Sequence, residues 1–221
     1  MLRITENTFV VFDLDDTLYK ERDYQTSGLR AVAKLIARLY GKDYSSELVA
    51  WRDAGEKDPF ERLRDELELP ASVKDSFLWE YRNHLPAIAL SPDAEATLRA
   101  IQQRSAGVAI LTDGRSVSQR LKLSALGLSA VPVYVSEEWG ETKPGEKRFA
   151  AIQKKFAAKQ FVYVGDNPAK DFIAPNRLGW VTIGLRDQGG NVHEQVLEDW
   201  SAEYLPSIWI DAIHDLEGFL C

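Results

Sequence analysis

Five short runs of β-branched and aromatic residues mark the chain: TFVVFD (8–13), VAILT (108–112), VPVYVS (131–136), FVYVG (161–165) and WVTIG (180–184). Their apolar residues are nearly continuous rather than alternating. That is the pattern of strands buried on both faces, as in a parallel sheet. A further run, SIWI (207–210), is expected as an extra edge strand. Between the later runs the apolar period lengthens. In 116–126 (SVSQRLKLSAL), Val117 and Leu121, with Leu128 beyond, suggest an apolar face, and Gly127 is a plausible stop. In 146–157 (EKRFAAIQKKFA), Phe149, Ile152 and Phe156 recur at spacings of three and four. Strand alternating with helix predicts an α/β fold with right-handed crossovers.

The segment between the first two runs follows a different pattern. Leu29, Val32, Ile36 and Leu39 form one helical stripe, and 45–54, 58–69 and 72–85 read as three more helices. So long a stretch exceeds one crossover and suffices for a small helical bundle. Residues 19–87 are therefore expected as an inserted helical unit, with 1–18 and 88–221 forming the core. The hinges fall near Leu18–Lys20 and Pro86–Pro92. A single α/β domain with a helix-rich connection is the alternative.

Composition narrows the class. A chain of 221 residues can bury a sizeable core without a disulfide or structural metal. Its single cysteine, Cys221, has no internal partner, which fits a reducing, cytoplasmic compartment. The start, MLRITENTFVVF, lacks the long apolar region of a signal peptide, and no run is long enough to span a bilayer. The net charge of −7 disfavours nucleic-acid backbones and anionic membranes as partners. A monomer or homodimer is expected.

The chemistry gathers at the ends of the strand runs. After FVVF come Asp13, Asp15 and Asp16. Residues i and i+2 of a strand face the same way, so Asp13 and Asp15 can share one cavity at the sheet's C-terminal edge, where open α/β sheets bind ligands. Two close carboxylates repel unless a cation bridges them or one is protonated. A hard divalent cation such as Mg²⁺ answers that need; a helix N-cap would explain DDT on its own. FVYVGDNPAKDF (161–172) repeats the arrangement, with Gly165 for a tight turn, Asp166 beside it, Pro168 to open a helix and Asp171 in its first turns. In AILTDGR (109–115), the Thr112 hydroxyl and the Asp113–Gly114 turn suit phosphate oxygens. In ETKPGEKRF (141–149), Lys143 precedes Pro144 and is biased to an extended backbone. Singly, each has a bland explanation: a cap, a loop, a surface lysine. Their order beside the predicted strand ends makes chance a poor one.

These motifs, DLDDT (13–17), LTDG (111–114), KP (143–144) and GDNPAKD (165–171), resemble those of the haloacid-dehalogenase-like superfamily of hydrolases. The resemblance frames nearly the whole chain, and it implies a Rossmann-like core with a helical cap at 19–87. It further implies that Asp13 is the nucleophile and Asp15 the general acid/base. Thr112, with Asp113 and Gly114, would hold the phosphoryl group, and Lys143 would neutralise its charge. Asp13, the Asp15 carbonyl and Asp166 would hold Mg²⁺, with Asp171 as a ligand or a supporting partner. A halide leaves without a proton, whereas an alkoxide requires one, so Asp15 indicates a phosphatase rather than a dehalogenase.

Near the hinges, Arg82 and His84 share a side if YRNHLP is extended, and could bind a polar or anionic part of the substrate. The expected substrate is a small phosphorylated metabolite, a sugar phosphate or nucleotide monophosphate. A phosphomutase of the same superfamily, or a silent binding member, are the alternatives.

Overall fold

The computed structural model describes residues 2–195 and 201–221. The apolar runs form six strands: β1 (Thr8–Phe12), β2 (Gly107–Thr112), β3 (Val133–Val135), β4 (Gln160–Gly165), β5 (Val181–Leu185) and β6 (Ile208–Ile210). All neighbours are parallel, in the order β3-β2-β1-β4-β5-β6. SIWI is thus an edge strand, as its sequence suggests. The strand period of two divides β1 between two cores. Val10 and Phe12 join Ile110, Val162 and Val164 on one face. Phe9 and Val11 join Leu111, Tyr163, Phe149 and Ile152 on the other. Residues buried on both faces explain why these runs are continuous in sequence.

Between β1 and β2 the chain forms α1 (Glu21–Tyr40), α2 (Ser45–Asp53), α3 (Pro59–Glu66) and α4 (Val73–Asn83). Their apolar faces close a separate cluster that includes Leu29, Val32, Ile36, Leu48, Phe60, Leu63 and Phe77. Leu39 does not join the stripe. It is 60% exposed in the last turn of α1, which runs past the cluster to a left-handed Gly41. The chain returns through residues 84–91 to α5 (Pro92–Arg104), a helix absent from the sequence reading although its start is conventional. The Ser91 hydroxyl accepts from the Ala94 N–H at 3.1 Å and proline occupies the first turn.

After β2 comes α6 (Ser116–Ala125), whose orientation differs from expectation. Val117 is 55% exposed, and the buried face is Ser118, Gln119, Lys122 and Leu123. The remaining helices are α7 (Ser136–Trp139), α8 (Lys147–Lys155) and α9 (Ile173–Arg177). Among the described residues, no helix is long and apolar enough to cross a membrane.

Candidate active site

The central strands β1 and β4 end side by side, and the Asp13 N–H continues their ladder by donating to the Val164 carbonyl at 2.8 Å. Asp13 and Asp166 are therefore carried to one edge. A carboxylate oxygen from each of Asp13, Asp166 and Asp171 lies within 4.8 Å of the others, and all three residues are buried. Gly165 is needed because a Cβ there would lie 2.7 Å from the Asp171 carboxylate. The helix expected to open at Pro168 starts later, at Ile173; residues 167–172 form turns instead. There Asp171 accepts from the Asn167 N–H at 2.8 Å. Its carboxylate folds back toward the sheet because the turn, not a helix, sets its direction.

Lys143 joins the cluster with its side chain fully buried. Its Nζ lies 2.8 Å from Asp13 and 2.6 Å from Asp171, and it donates to the Tyr163 hydroxyl at 3.1 Å. One lysine faces three carboxylates, so the cluster keeps excess negative charge. Burial pushes Asp13 up to about 6, against the pull of Lys143. Burial, then Asp171 and Asp13, push Asp166 up to about 8. Burial depresses the Lys143 ammonium, yet Asp13 and Asp171 outweigh it and hold it well above the usual lysine range. Oxygen-only donors with surplus negative charge in a buried cluster fit a hard divalent cation, so the residues present suit Mg²⁺.

Asp15 occupies a different environment. Lys122 Nζ lies 2.8 Å from its Oδ1, the Tyr19 hydroxyl donates to the same oxygen, and Gln119 Nε2 donates to Oδ2 at 3.1 Å. Burial alone would raise this carboxyl, but the Lys122 charge and these hydrogen bonds hold it below the usual range. The third acid, Asp16, has a left-handed backbone at φ 56°. Its carboxylate accepts from the Glu21 N–H at 2.9 Å, at the start of α1, and from the Val192 N–H at 2.8 Å.

The Thr112 hydroxyl is buried, has no hydrogen-bond partner, and its residue lines the same pocket as Asp13. Asp113 lines the pocket too, but the protein itself engages its carboxylate. It accepts from the Lys143 N–H at 3.0 Å and from Arg148 Nη2 at 2.5 Å. Asp113 thereby braces the Lys143 loop. Gly114, at φ 146°, leaves room for Gln119, whose Nε2 would lie 2.5 Å from a Cβ there.

The pocket at this edge measures about 150 Å³ and is lined by Asp13, Asp15, Thr112 and Asp166, with Lys170 and His193. The loop after β5 closes one side. Asn191 Nδ2 donates to Asp166 at 3.0 Å, and Gln195 Nε2 donates to the Asp166 carbonyl at 2.6 Å. A groove of about 970 Å³ elsewhere is larger but holds none of these carboxylates. His84 lines that groove, with Nδ1 against the Tyr81 carbonyl at 2.7 Å and Nε2 against the Ser27 hydroxyl at 3.0 Å. Arg82 lines another groove with Trp79 and Arg115. Neither residue lines the carboxylate pocket. The segment is not extended at Arg82, because α4 continues through Asn83 and turns the two side chains apart.

Asp13, Asp15, Thr112, Asp113, Lys143, Asp166 and Asp171 thus converge, as their order along the sequence implies. Lys122, Gln119, Tyr19, Arg148 and Tyr163 join them without any sequence motif to mark them.

The family model for haloacid dehalogenase-like hydrolases matches residues 10–185. Glyceraldehyde 3-phosphate phosphatase of Methanopyrus kandleri is 28% identical over 194 residues, covering 80% of this chain and 83% of the relative. Phosphoserine phosphatase of Thermus thermophilus is 30% identical over 189 residues, covering 78% and 74%. The magnesium-bound crystal structure of the HAD hydrolase YfnB from Bacillus subtilis shares the fold, with a TM-score of 0.66, 19% identity and 98% of each chain covered. The chain therefore belongs to the haloacid dehalogenase-like hydrolases, in their phosphatase branch.

Proposed function

We propose that the protein is a Mg²⁺-dependent phosphatase that hydrolyses a small phosphorylated metabolite through an aspartyl-phosphate. The observation that carries this reading is the separation of two neighbouring carboxylates. Asp13 faces Lys143 within the acidic cluster, whereas Asp15 is held by Lys122, Gln119 and Tyr19. One is suited to attack and the other to proton transfer.

An Asp13 oxygen attacks phosphorus and the ester P–O bond breaks. Asp15, ionised beside Lys122 in the free protein, takes up a proton from solvent as substrate binds and gives it to the departing alkoxide. Asp15 then takes a proton from water as that water attacks phosphorus, the P–O bond to Asp13 breaks, and inorganic phosphate leaves. Thr112 holds a phosphoryl oxygen with its otherwise unpartnered hydroxyl. Lys143 offsets charge as it develops on the transferring group. Asp13, Asp166 and the Asp15 carbonyl would hold Mg²⁺, which supplies charge neutralisation at the phosphoryl oxygens. Asp171 has both carboxylate oxygens engaged, by Lys143 with Tyr163 and by Asn167, and acts by fixing Lys143.

The small pocket supports a compact leaving group, and the relatives named for glyceraldehyde 3-phosphate and phosphoserine act on molecules of that size. Sugar phosphates come first, nucleotide monophosphates second. Residues 19–87 would act as the cap, closing over the site from the hinges. The test is phosphate release from a phosphometabolite panel, with Mg²⁺ or with chelator, for the wild type and Asp13→Asn. Mg²⁺-dependent release by the wild type and background release by the variant are expected. Retained turnover in Asp13→Asn, after contaminant controls, would refute the covalent route.

A further inference from the structure

α6 bears an unusual buried face. Ser118, Gln119 and Lys122 turn inward, while apolar Val117 is left in solvent. Burying a lysine is unfavourable unless its charge is matched. Lys122 is 5% exposed at its side chain and meets one carboxylate, Asp15, at 2.8 Å. Its Nζ also sits 4.2 Å from the Tyr24 ring centroid, so an aromatic face from α1 backs the ammonium. Gln119, one helical turn earlier, bridges the Asp113 carbonyl at 2.7 Å and Asp15 Oδ2 at 3.1 Å.

We propose that Lys122 is the positioning residue for Asp15, anchoring one carboxylate oxygen while Gln119 anchors the other. This inference rests on the assignment of Asp15 as the acid/base. The need for such a clamp follows from the local geometry. Asp13 and Asp15 are two residues apart, beside a cluster of buried carboxylates whose oxygens suit a cation. An untethered Asp15 carboxylate would be drawn toward the same cation and away from the leaving oxygen. Two lysines on separate elements prevent that by sorting the carboxylates: Lys143 takes Asp13 and Lys122 takes Asp15. Gly114 belongs to the same device, since any side chain there would displace Gln119. Tyr24 ties the clamp to the helical unit, and Ser118 adds a second tie by donating to the Arg82 carbonyl at 2.8 Å.

A merely structural Lys122 would, if lost, lower the amount of folded protein and reduce turnover of all substrates alike. A positioning Lys122 acts through proton delivery, which an alkyl phosphate needs and p-nitrophenyl phosphate hardly does. The experiment measures the phosphorylation step on both substrates for Lys122→Met, Gln119→Leu and Asp15→Asn, each corrected for folded fraction. Lys122→Met is expected to lower the alkyl phosphate rate by about 10²-fold, within the range for lost acid/base function. KM should stay near the wild-type value, and the p-nitrophenyl phosphate rate should fall far less. Gln119→Leu should show the same skew, smaller, and decides the matter if Lys122→Met does not fold. Equal losses on both substrates in the Lys122 variant, or in Gln119→Leu where that variant decides, overturn the clamp, provided Asp15→Asn remains skewed. If Asp15→Asn itself shows no skew, the acid/base assignment fails and the clamp fails with it.

Discussion

Two arginines show how differently the sheet edge and the helical unit use charge. Arg148 of α8 is fully buried; it donates to the Thr112 carbonyl at 2.9 Å and meets Asp113 at 2.5 Å. Arg64 of α3 lies near the surface and meets Glu61 at 2.6 Å, Asp65, and the Leu69 carbonyl at 3.0 Å. The two have similar numbers of partners but different surroundings. Around Arg64, water can replace any partner that is lost. Around Arg148 it cannot, so the arginine fixes the backbone of Thr112, a residue that lines the pocket. Charges are buried where atoms must stay in place, and exposed where only solubility and local helix support are at stake.

Three measurements sharpen or break that contrast, beginning with the largest effect. Arg148→Met leaves Asp113 without its main buried counter-charge and two carbonyls without their donor. A loss of roughly 3–5 kcal/mol in denaturant unfolding is expected, the usual range when one partner of a buried pair is removed. A loss similar to that of a surface ion pair would erase the distinction between the two regions.

The second measurement concerns His84, the buried titratable group at the end of the helical unit. Burial holds its ring below the usual imidazole range, so the folded protein keeps it neutral. The unfolded chain binds the proton first, near pH ~6.5. Stability therefore rises with pH across this window, and the contribution is lost as pH falls from there through the folded value. Comparing wild type with His84→Gln between neutral and mildly acidic pH cancels the carboxylates common to both. The wild type should lose stability more steeply on acidification; parallel curves would show that the unit tolerates a charged His84.

The smallest effect is expected from Arg64→Ala. Its denaturation midpoint should match the wild type within repeat scatter, because its partners remain hydrated. A clear destabilisation would mean the helical unit relies on its ion pairs as the sheet edge does.

The same contrast governs how much the sequence could reveal. Five strands, the edge strand and the carboxylates at their ends were legible because a continuous run of β-branched and aromatic residues and its abrupt polar end are local signals. The helical run between β1 and β2 was legible from its apolar spacing, also a local signal. The orientation of α6 was not. Apolar spacing pointed to Val117 and Leu121, but one face of the helix meets a polar site, so Gln119 and Lys122 turn inward and Val117 outward. Periodicity presumes an apolar destination, and only the tertiary structure shows that this one is a carboxylate. Arg148 was hidden likewise, adjacent to Phe149 in a helix read from its apolar residues alone. Arg82 and His84 drew attention by proximity to a hinge, yet α4 extends far enough to send them to other grooves.

The central position of β1 also bears on how the chain acquires its shape. Thr8 pairs with Gln160 and Phe9 with Gly107, so β1 is synthesised well before either of its neighbours. Helices α1–α4 draw their cluster from residues 29–81 and can consolidate early. Throughout that interval FVVF stays an unpaired apolar segment, the kind of surface that chaperones shield and that aggregates when left alone. The strand that presents the proposed nucleophile is thus the one whose burial waits longest during synthesis.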